Sequence, residues 1–208
     1  MIILIGSQKG GCGKSTLAVN ITAELTRQGK DVVLVDADRQ GTESRWAQDR
    51  ANSKYTHIPC VSQFDNIHPT LNDLNTKYDY VVCDVAGRDS RELRTGMLAA
   101  DVLVAPFRPS QPDLDTLPHL AEVVIQARDM NPDLKCYAVL TLAPSNPQIH
   151  EASEAKEYLA DFPEFQLCKS IVRDRKAYRD TISEGAGVVE WKDGKAKAEI
   201  QLLVQEFI

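Results

Sequence analysis

Short apolar runs alternate with longer amphipathic ones along the chain. Residues 2–5, 32–35, 80–85, 102–106 and 136–142 are rich in Val, Ile and Leu without clean alternation, the pattern of strands covered on both faces of a parallel sheet. Between them, helical spacing predicts helices over residues 15–28, 42–50, 90–100, 115–130 and 149–160. In the first of these, Leu17, Ala18, Ile21 and Leu25 share one face, and Gly29 stands where a left-handed residue closes a helix. Residues 51–75 carry weaker periodicity and several turn formers, so a short strand near 58–61 and a short helix after Asp65 are expected there. A last loop, closed by Gly185, Gly187, Val188 and Val189, precedes a terminal helix over 195–207 with Ile200, Leu203, Val204 and Phe207 on one face. Alternating strands and helices predict an α/β fold: a doubly wound, mostly parallel sheet flanked by helices, in one domain over residues 1–208.

Composition narrows the classes further. With 208 residues, 43% hydrophobic and 26% charged, the chain is neither collagenous, disordered nor a disulfide scaffold. No apolar run approaches the ~20 residues that cross a bilayer, and no basic leader precedes Ile2; a cytoplasmic chain without a membrane partner is expected. Cys12, Cys60, Cys83, Cys136 and Cys168 form no C-x-x-C pair and fit neither a disulfide framework nor a zinc site. His57, His68, His119 and His150 have no spacing that suggests a shared metal, and Trp46 and Trp191 read as packing residues. A net charge of −6 confines any nucleic-acid contact to a local patch.

Chemistry concentrates between the first strand and the first helix, in Gly6-Ser7-Gln8-Lys9-Gly10-Gly11-Cys12-Gly13-Lys14-Ser15-Thr16. A glycine-rich turn lets backbone N–H groups of Gly10, Gly11, Cys12 and Gly13 wrap a polyphosphate, and the helix start aims its positive end at the same anion. Lys14 would neutralise the β- and γ-phosphates, Ser15 would ligate Mg²⁺, and Thr16 would bond the α-phosphate. The usual phosphate loop has a glycine five residues before Gly13; Gln8 stands there instead, followed by a second lysine, Lys9. The resulting K-G-G-C-G-K-S-T resembles the deviant Walker A motif of the ParA/MinD family of P-loop ATPases. That resemblance implies a P-loop NTPase fold, ATP hydrolysis with ATP and Mg²⁺ as cofactors, and a nucleotide-sandwich homodimer in which Lys9 reaches the partner's phosphates. A cation inserted in this way stabilises charge on the transferred phosphoryl group.

Two further segments follow in the family's order. Asp36-Ala37-Asp38-Arg39-Gln40-Gly41 resembles its D-x-D-P-Q switch I, with Arg39 where Pro is commoner. By that resemblance Asp38 positions the attacking water and Asp36 supports the metal site; the plainer reading is that these acids cap the helix from Thr42. Tyr80-Val81-Val82-Cys83-Asp84 has the Walker B form, with Asp84 accepting from Mg²⁺-bound water, and Gly87 would let the backbone of switch II approach the γ-phosphate. The stretch Pro106-Phe107-Arg108-Pro109-Ser110-Gln111-Pro112-Asp113 resembles the proline-rich segment of small ParF-type partition ATPases, which lies at the dimer interface; a rigid turn is the plainer reading.

Between residues 169 and 179, Lys169, Arg173, Arg175, Lys176 and Arg179 stand against Asp174 alone. Such a cluster binds phosphates by releasing counterions, and Arg175 and Arg179, four apart, would share a helix face if a helix starts near there. In the family a matching R-x-x-Y segment, here Arg175 to Tyr178, contributes to ATP-dependent non-specific DNA binding. The resemblance thus implies a nucleoid-associated ATPase for DNA partition, stimulated by a ParB-like centromere-binding partner. The chain starts at its first strand, so an amino-terminal helix-turn-helix is not expected. Positioning of an organelle or other cargo would use the same chemistry. A MinD-like membrane regulator would need a basic amphipathic carboxyl-terminal helix, and residues 202–208 lack a basic face. A metabolic ligase on the same fold would need a substrate constellation that is not evident, and an iron–sulfur ATPase would need two ligand cysteines in a context that Cys83 and Cys136 lack.

Overall fold

The computed structural model describes residues 1–146 and 151–208. Seven strands, β1 (Ile2–Ile5), β2 (Val32–Ala37), β3 (Cys60–Ser62), β4 (Tyr80–Val85), β5 (Val102–Phe107), β6 (Lys135–Ala143) and β7 (Gln166–Arg173), form one sheet in the order β3-β2-β4-β1-β5-β6-β7. Every pairing is parallel. The helices are α1 (Lys14–Arg27), α2 (Thr42–Ala51), α3 (His68–Asn75), α4 (Arg91–Met97), α5 (Gln111–Leu114), α6 (Leu117–Arg128), α7 (Glu151–Leu159), α8 (Lys176–Ile182) and α9 (Gly194–Gln205), with a 3₁₀ turn at Val188–Glu190. His150 and the first two residues of the helix expected over 149–160 lie outside the described residues.

The apolar runs lack polar alternation because helices cover both faces of the sheet. In β1, Ile2 and Leu4 pack into the layer under α3, α4, α6 and α7, while Ile3 and Ile5 pack under α1, α2, α8 and α9. A strand's two-residue period thus feeds two cores at once. Helix α1 closes as expected: Gly29 at φ 80 donates to Thr26 O and Lys30 to Leu25 O, the two bonds of a Schellman ending. Trp46 is buried with its indole N–H on Ala186 O at 3.1 Å, and Trp191 packs at the rim of the same core. All five cysteines are free; burial pushes the thiol of Cys136 up to about 11 and those of Cys60 and Cys168 up to about 12, so all three stay protonated at neutral pH.

Strand β7 was absent from the sequence expectation. Its residues Gln-Leu-Cys-Lys-Ser-Ile-Val-Arg mix charged with apolar positions, as suits an edge strand with one free margin. The predicted helix over 115–130 shortens to α6, with the unpredicted α5 just ahead of it, and that over 90–100 shortens to α4, with Ser90 as its cap accepting from Leu93 N at 3.1 Å. With β1 between β4 and β5, the chain first winds to one side of it through β2, β3 and β4 and then crosses to the other side through β5, β6 and β7. The carboxyl ends of β1, β2 and β4 therefore border a crevice at the switch point, the position where open α/β sheets bind ligands.

Candidate active site

From Ile5 the chain turns through residues 6–13 into α1. Gly11 and Gly13 have φ values of 74 and 91, the left-handed region that glycine occupies without steric cost. No side chain caps α1, which leaves its first N–H groups directed at the crevice. The loop is braced from below. Thr141 Oγ1 on β6 donates to Cys12 O at 2.6 Å, Ser7 Oγ lies 3.0 Å from Cys12 Sγ, and the Arg108 guanidinium donates to Gly11 O. Cys12 therefore serves the loop through its backbone, with its thiol turned inward.

Lys14 is 6% exposed, and its ammonium reaches across the loop to Lys9 O at 3.0 Å. Lys9 is exposed and its side chain makes no ion pair among the described residues. Gly87, after β4, lies against this loop so closely that a Cβ there would sit 2.4 Å from Lys9 O and 2.6 Å from Lys14 Nζ. Only glycine fits, and the segment after β4 thereby touches Lys14.

At the end of β4, Asp84 is fully buried; Oδ2 accepts from Ser15 Oγ at 2.7 Å, while among the described residues Oδ1 has no donor. Burial, and next the charge of Glu43, hold its carboxyl well above the usual range. Glu43, in the first turn of α2, is also fully buried with both carboxylate oxygens undonated, and burial raises its carboxyl too. Asp36 differs. Its Oδ1 accepts from Asp38 N at 3.3 Å and its Oδ2 from Ser44 N at 3.0 Å and Ser44 Oγ at 2.7 Å, so both oxygens already anchor switch I and the start of α2. This is the capping arrangement that the sequence left as the plainer reading. Asp38 lines the cleft and accepts from Gln40 N at 3.0 Å. Arg39 stacks on Phe64 at 4.9 Å and lies 3.9 Å from Asp65.

A cleft of about 490 Å³ is lined by Gly10, Lys14, Ser15, Thr16, Asp38, Gly87 and Arg88, a size that suits a small ligand, with Asp36, Glu43 and Asp84 buried outside its lining. The sequence matches the CobQ/CobB/MinD/ParA nucleotide binding domain over residues 3–188. The chain belongs to this family. It is a ParA/MinD-type P-loop ATPase. The protein is 30% identical over 211 residues to maintenance of carboxysome distribution protein A of Halothiobacillus neapolitanus, covering 99% of this chain and 95% of that relative. Its fold matches apo McdA of Cyanothece with a TM-score of 0.76 at 16% identity, covering 99% and 98% of the two chains. It also matches a putative plasmid partition protein of Borrelia burgdorferi bound to AMPPNP, with a TM-score of 0.72 at 21% identity over 100% and 99%.

A ParA/MinD-type loop calls for a divalent cation beside the phosphates. The donor set fits one: a serine hydroxyl and buried carboxylate oxygens without donors are the hard oxygen ligands that Mg²⁺ takes, and its remaining positions go to water and phosphate. Among the described residues no cluster of three or more His, Cys, Asp or Glu forms a closed metal cage, and no helix is long and apolar enough to cross a membrane.

The basic segment is divided. Lys169 sits inside β7, four residues or roughly 13 Å of strand from Arg173. Arg173 donates to Pro144 O at 2.5 Å. Arg175 and Arg179 do not share an exposed face: Arg175 precedes α8 in extended conformation, is 19% exposed, and holds Glu199 Oε1 through Nε at 2.9 Å and Nη2 at 2.6 Å. Tyr178 is buried and donates to Glu199 Oε2 at 3.0 Å. The R-x-x-Y pair therefore clamps α8 to α9. Lys176 and Arg179 remain exposed, on Asp180 at 3.1 Å and Asp174 at 2.5 Å. Sequence reasoning missed Glu43, Thr141 and the grip of Arg108 on the loop. Glu43 carried a signal, an acid just after the D-x-D segment, that is indistinguishable from an ordinary helix-start acid.

Proposed function

We propose that this ATPase positions a cargo on DNA: ATP and Mg²⁺ close two copies face to face, the closed pair binds DNA without sequence preference, and hydrolysis releases it. The observation that carries this reading is the second lysine. Lys14 is folded into its own loop, whereas Lys9, next to the cleft-lining Gly10, is exposed and makes no ion pair among the described residues; this supports a role in meeting phosphates held by another copy. In this reading Lys14, Thr16 and the N–H groups of residues 10–13 hold the phosphates, and Ser15 and Asp84 hold Mg²⁺, which draws negative charge off the phosphoryl oxygens. Asp38 orients the attacking water, and Asp36 keeps switch I and α2 in register with it.

The cargo reading favours a protein body over a plasmid or chromosome. Its support is the 30% identity, across nearly the whole of both chains, to a relative named for carboxysome distribution. The protein would then work in the cytoplasm on the nucleoid, and an adaptor on the cargo would stand where a ParB-like protein stands in partition. Mobility shift on random DNA with ATP, ADP and no nucleotide tests the scheme: retardation with ATP alone is expected, and equal retardation in all three refutes it. Binding to anionic vesicles without DNA retention would instead support a membrane cycle.

Asp38→Ala is expected to lower turnover about a hundredfold or more while sedimentation still shows the ATP-dependent dimer; loss of both together would remove Asp38 from the water-orienting role. Lys176→Ala with Arg179→Ala is expected to weaken DNA binding and to lower the salt slope by about 0.9 per cation removed. Their exposed ion pairs are worth little and yield readily to phosphate. An unchanged slope across a salt series would exclude this face.

A further inference from the structure

Glu43 is a buried acid that the scheme above does not use. It occupies the second position of α2, directly after switch I, with zero exposure. Its carboxyl neighbours that of Asp84 and the Ser15 hydroxyl, but that hydroxyl donates to Asp84 Oδ2 at 2.7 Å. Among the described residues no donor reaches either of its oxygens, nor Asp84 Oδ1. Two buried carboxyls side by side, with three of four oxygens undonated, cost free energy unless a proton held by the pair, as burial favours, or a cation with its water ligands answers them. The nearby cation, Lys14, directs its ammonium to Lys9 O. Asp36 adds negative charge beside Glu43, while its own oxygens already accept from Ser44 and Asp38.

We infer that Glu43 is a third protein group of the Mg²⁺ site, a carboxylate that accepts hydrogen bonds from the metal's water ligands beside Asp84. This rests on the nucleotide-site reading above. Mg²⁺ keeps several waters, and carboxylates that orient them raise affinity without touching the ion. Because Glu43 begins the helix that Asp36 caps, the same contact ties metal occupancy to the position of α2 and switch I.

The test is a titration of Mn²⁺ into protein saturated with ADP, with free Mn²⁺ read by electron paramagnetic resonance. Glu43→Gln keeps the shape and removes the charge; about a tenfold or greater loss of Mn²⁺ affinity is expected, with ADP binding in EDTA unchanged. Thermal unfolding in EDTA should show Glu43→Gln at least as stable as wild type, since a buried like charge has been removed. Asp84→Asn serves as the reference. If Asp84→Asn leaves Mn²⁺ affinity unchanged, the metal-site reading itself fails. If Asp84→Asn weakens Mn²⁺ and Glu43→Gln stays within twofold of wild type, the inference about Glu43 is overturned. Should Glu43→Gln not fold, Glu43→Asp retracts the charge by one methylene, and a loss of several-fold in Mn²⁺ affinity supports the assignment while an unchanged value defeats it.

Discussion

Lys14→Ala is expected to abolish productive nucleotide binding, weakening ATP by at least about a hundredfold, or about 2.7 kcal/mol. The ammonium is buried at 6% exposure, already desolvated, and within one loop's width of every N–H group that faces the crevice. A charge-assisted contact to phosphate in such surroundings is among the stronger hydrogen bonds a protein makes. Lys14→Arg should not rescue it. The Gly87 backbone lies so near that even a Cβ would come within 2.6 Å of Lys14 Nζ, and a planar guanidinium needs more room than an ammonium. Calorimetric titration with ATP and Mg²⁺ checks both variants, with circular dichroism to show that they fold. Wild-type affinity in Lys14→Ala would remove the loop from the proposed site.

Arg50→Ala is expected to destabilise the fold by about 3–5 kcal/mol, the usual cost of breaking one side of a buried ion pair. At about 2–4 °C per kcal/mol for a chain of this size, the melting temperature should fall by about 6–20 °C. The Arg50 side chain is fully buried; it donates to Glu190 at 2.7 and 2.9 Å, to Thr56 O at 2.7 Å and to Gly185 O at 2.9 Å. Removing it leaves two carbonyls without their donor and Glu190 with only the Gly187 N–H at 2.9 Å. Arg50→Lys should recover little, because one ammonium cannot serve Glu190 bidentately and both carbonyls as well. Urea and thermal unfolding measure this directly, and a loss below about 1 kcal/mol would show that water replaces the arginine. The same residue joins α2, which switch I feeds, to the segment following α8. Arg50 thus adds a second anchor for the segment after α8, beside the grip of Arg175 and Tyr178 on Glu199.

How much of this was legible in the chain differs by kind of feature. The strands β1, β2, β4 and β5 were readable because burial on both faces demands nearly uninterrupted apolar residues, and Ile2 to Ile5 and Tyr80 to Val85 supply them in β-branched-rich runs too short for a helix. The phosphate loop was readable because its geometry needs glycine at particular steps and lysine at others. Strand β7 was not. An edge strand tolerates Lys169 and Arg173, so its charges resembled a surface patch more than a sheet.

The sequence by itself determined the layered α/β fold, the nucleotide loop with its two lysines, and the acids ending β2 and β4. These are local matters, set by hydrophobic period and by the steric demands of single turns. Tertiary structure alone decided which acid is occupied and which is open. Asp36, Glu43 and Asp84 are equivalent carboxylates on paper, yet Ser44 takes the first, while the fold buries the other two together beside Ser15. It likewise turned Arg175 and Tyr178 inward onto Glu199 and left Lys176 and Arg179 outside. The reason is physical: a charge's role depends on the donors, acceptors and solvent around it, and residues distant in the chain supply them.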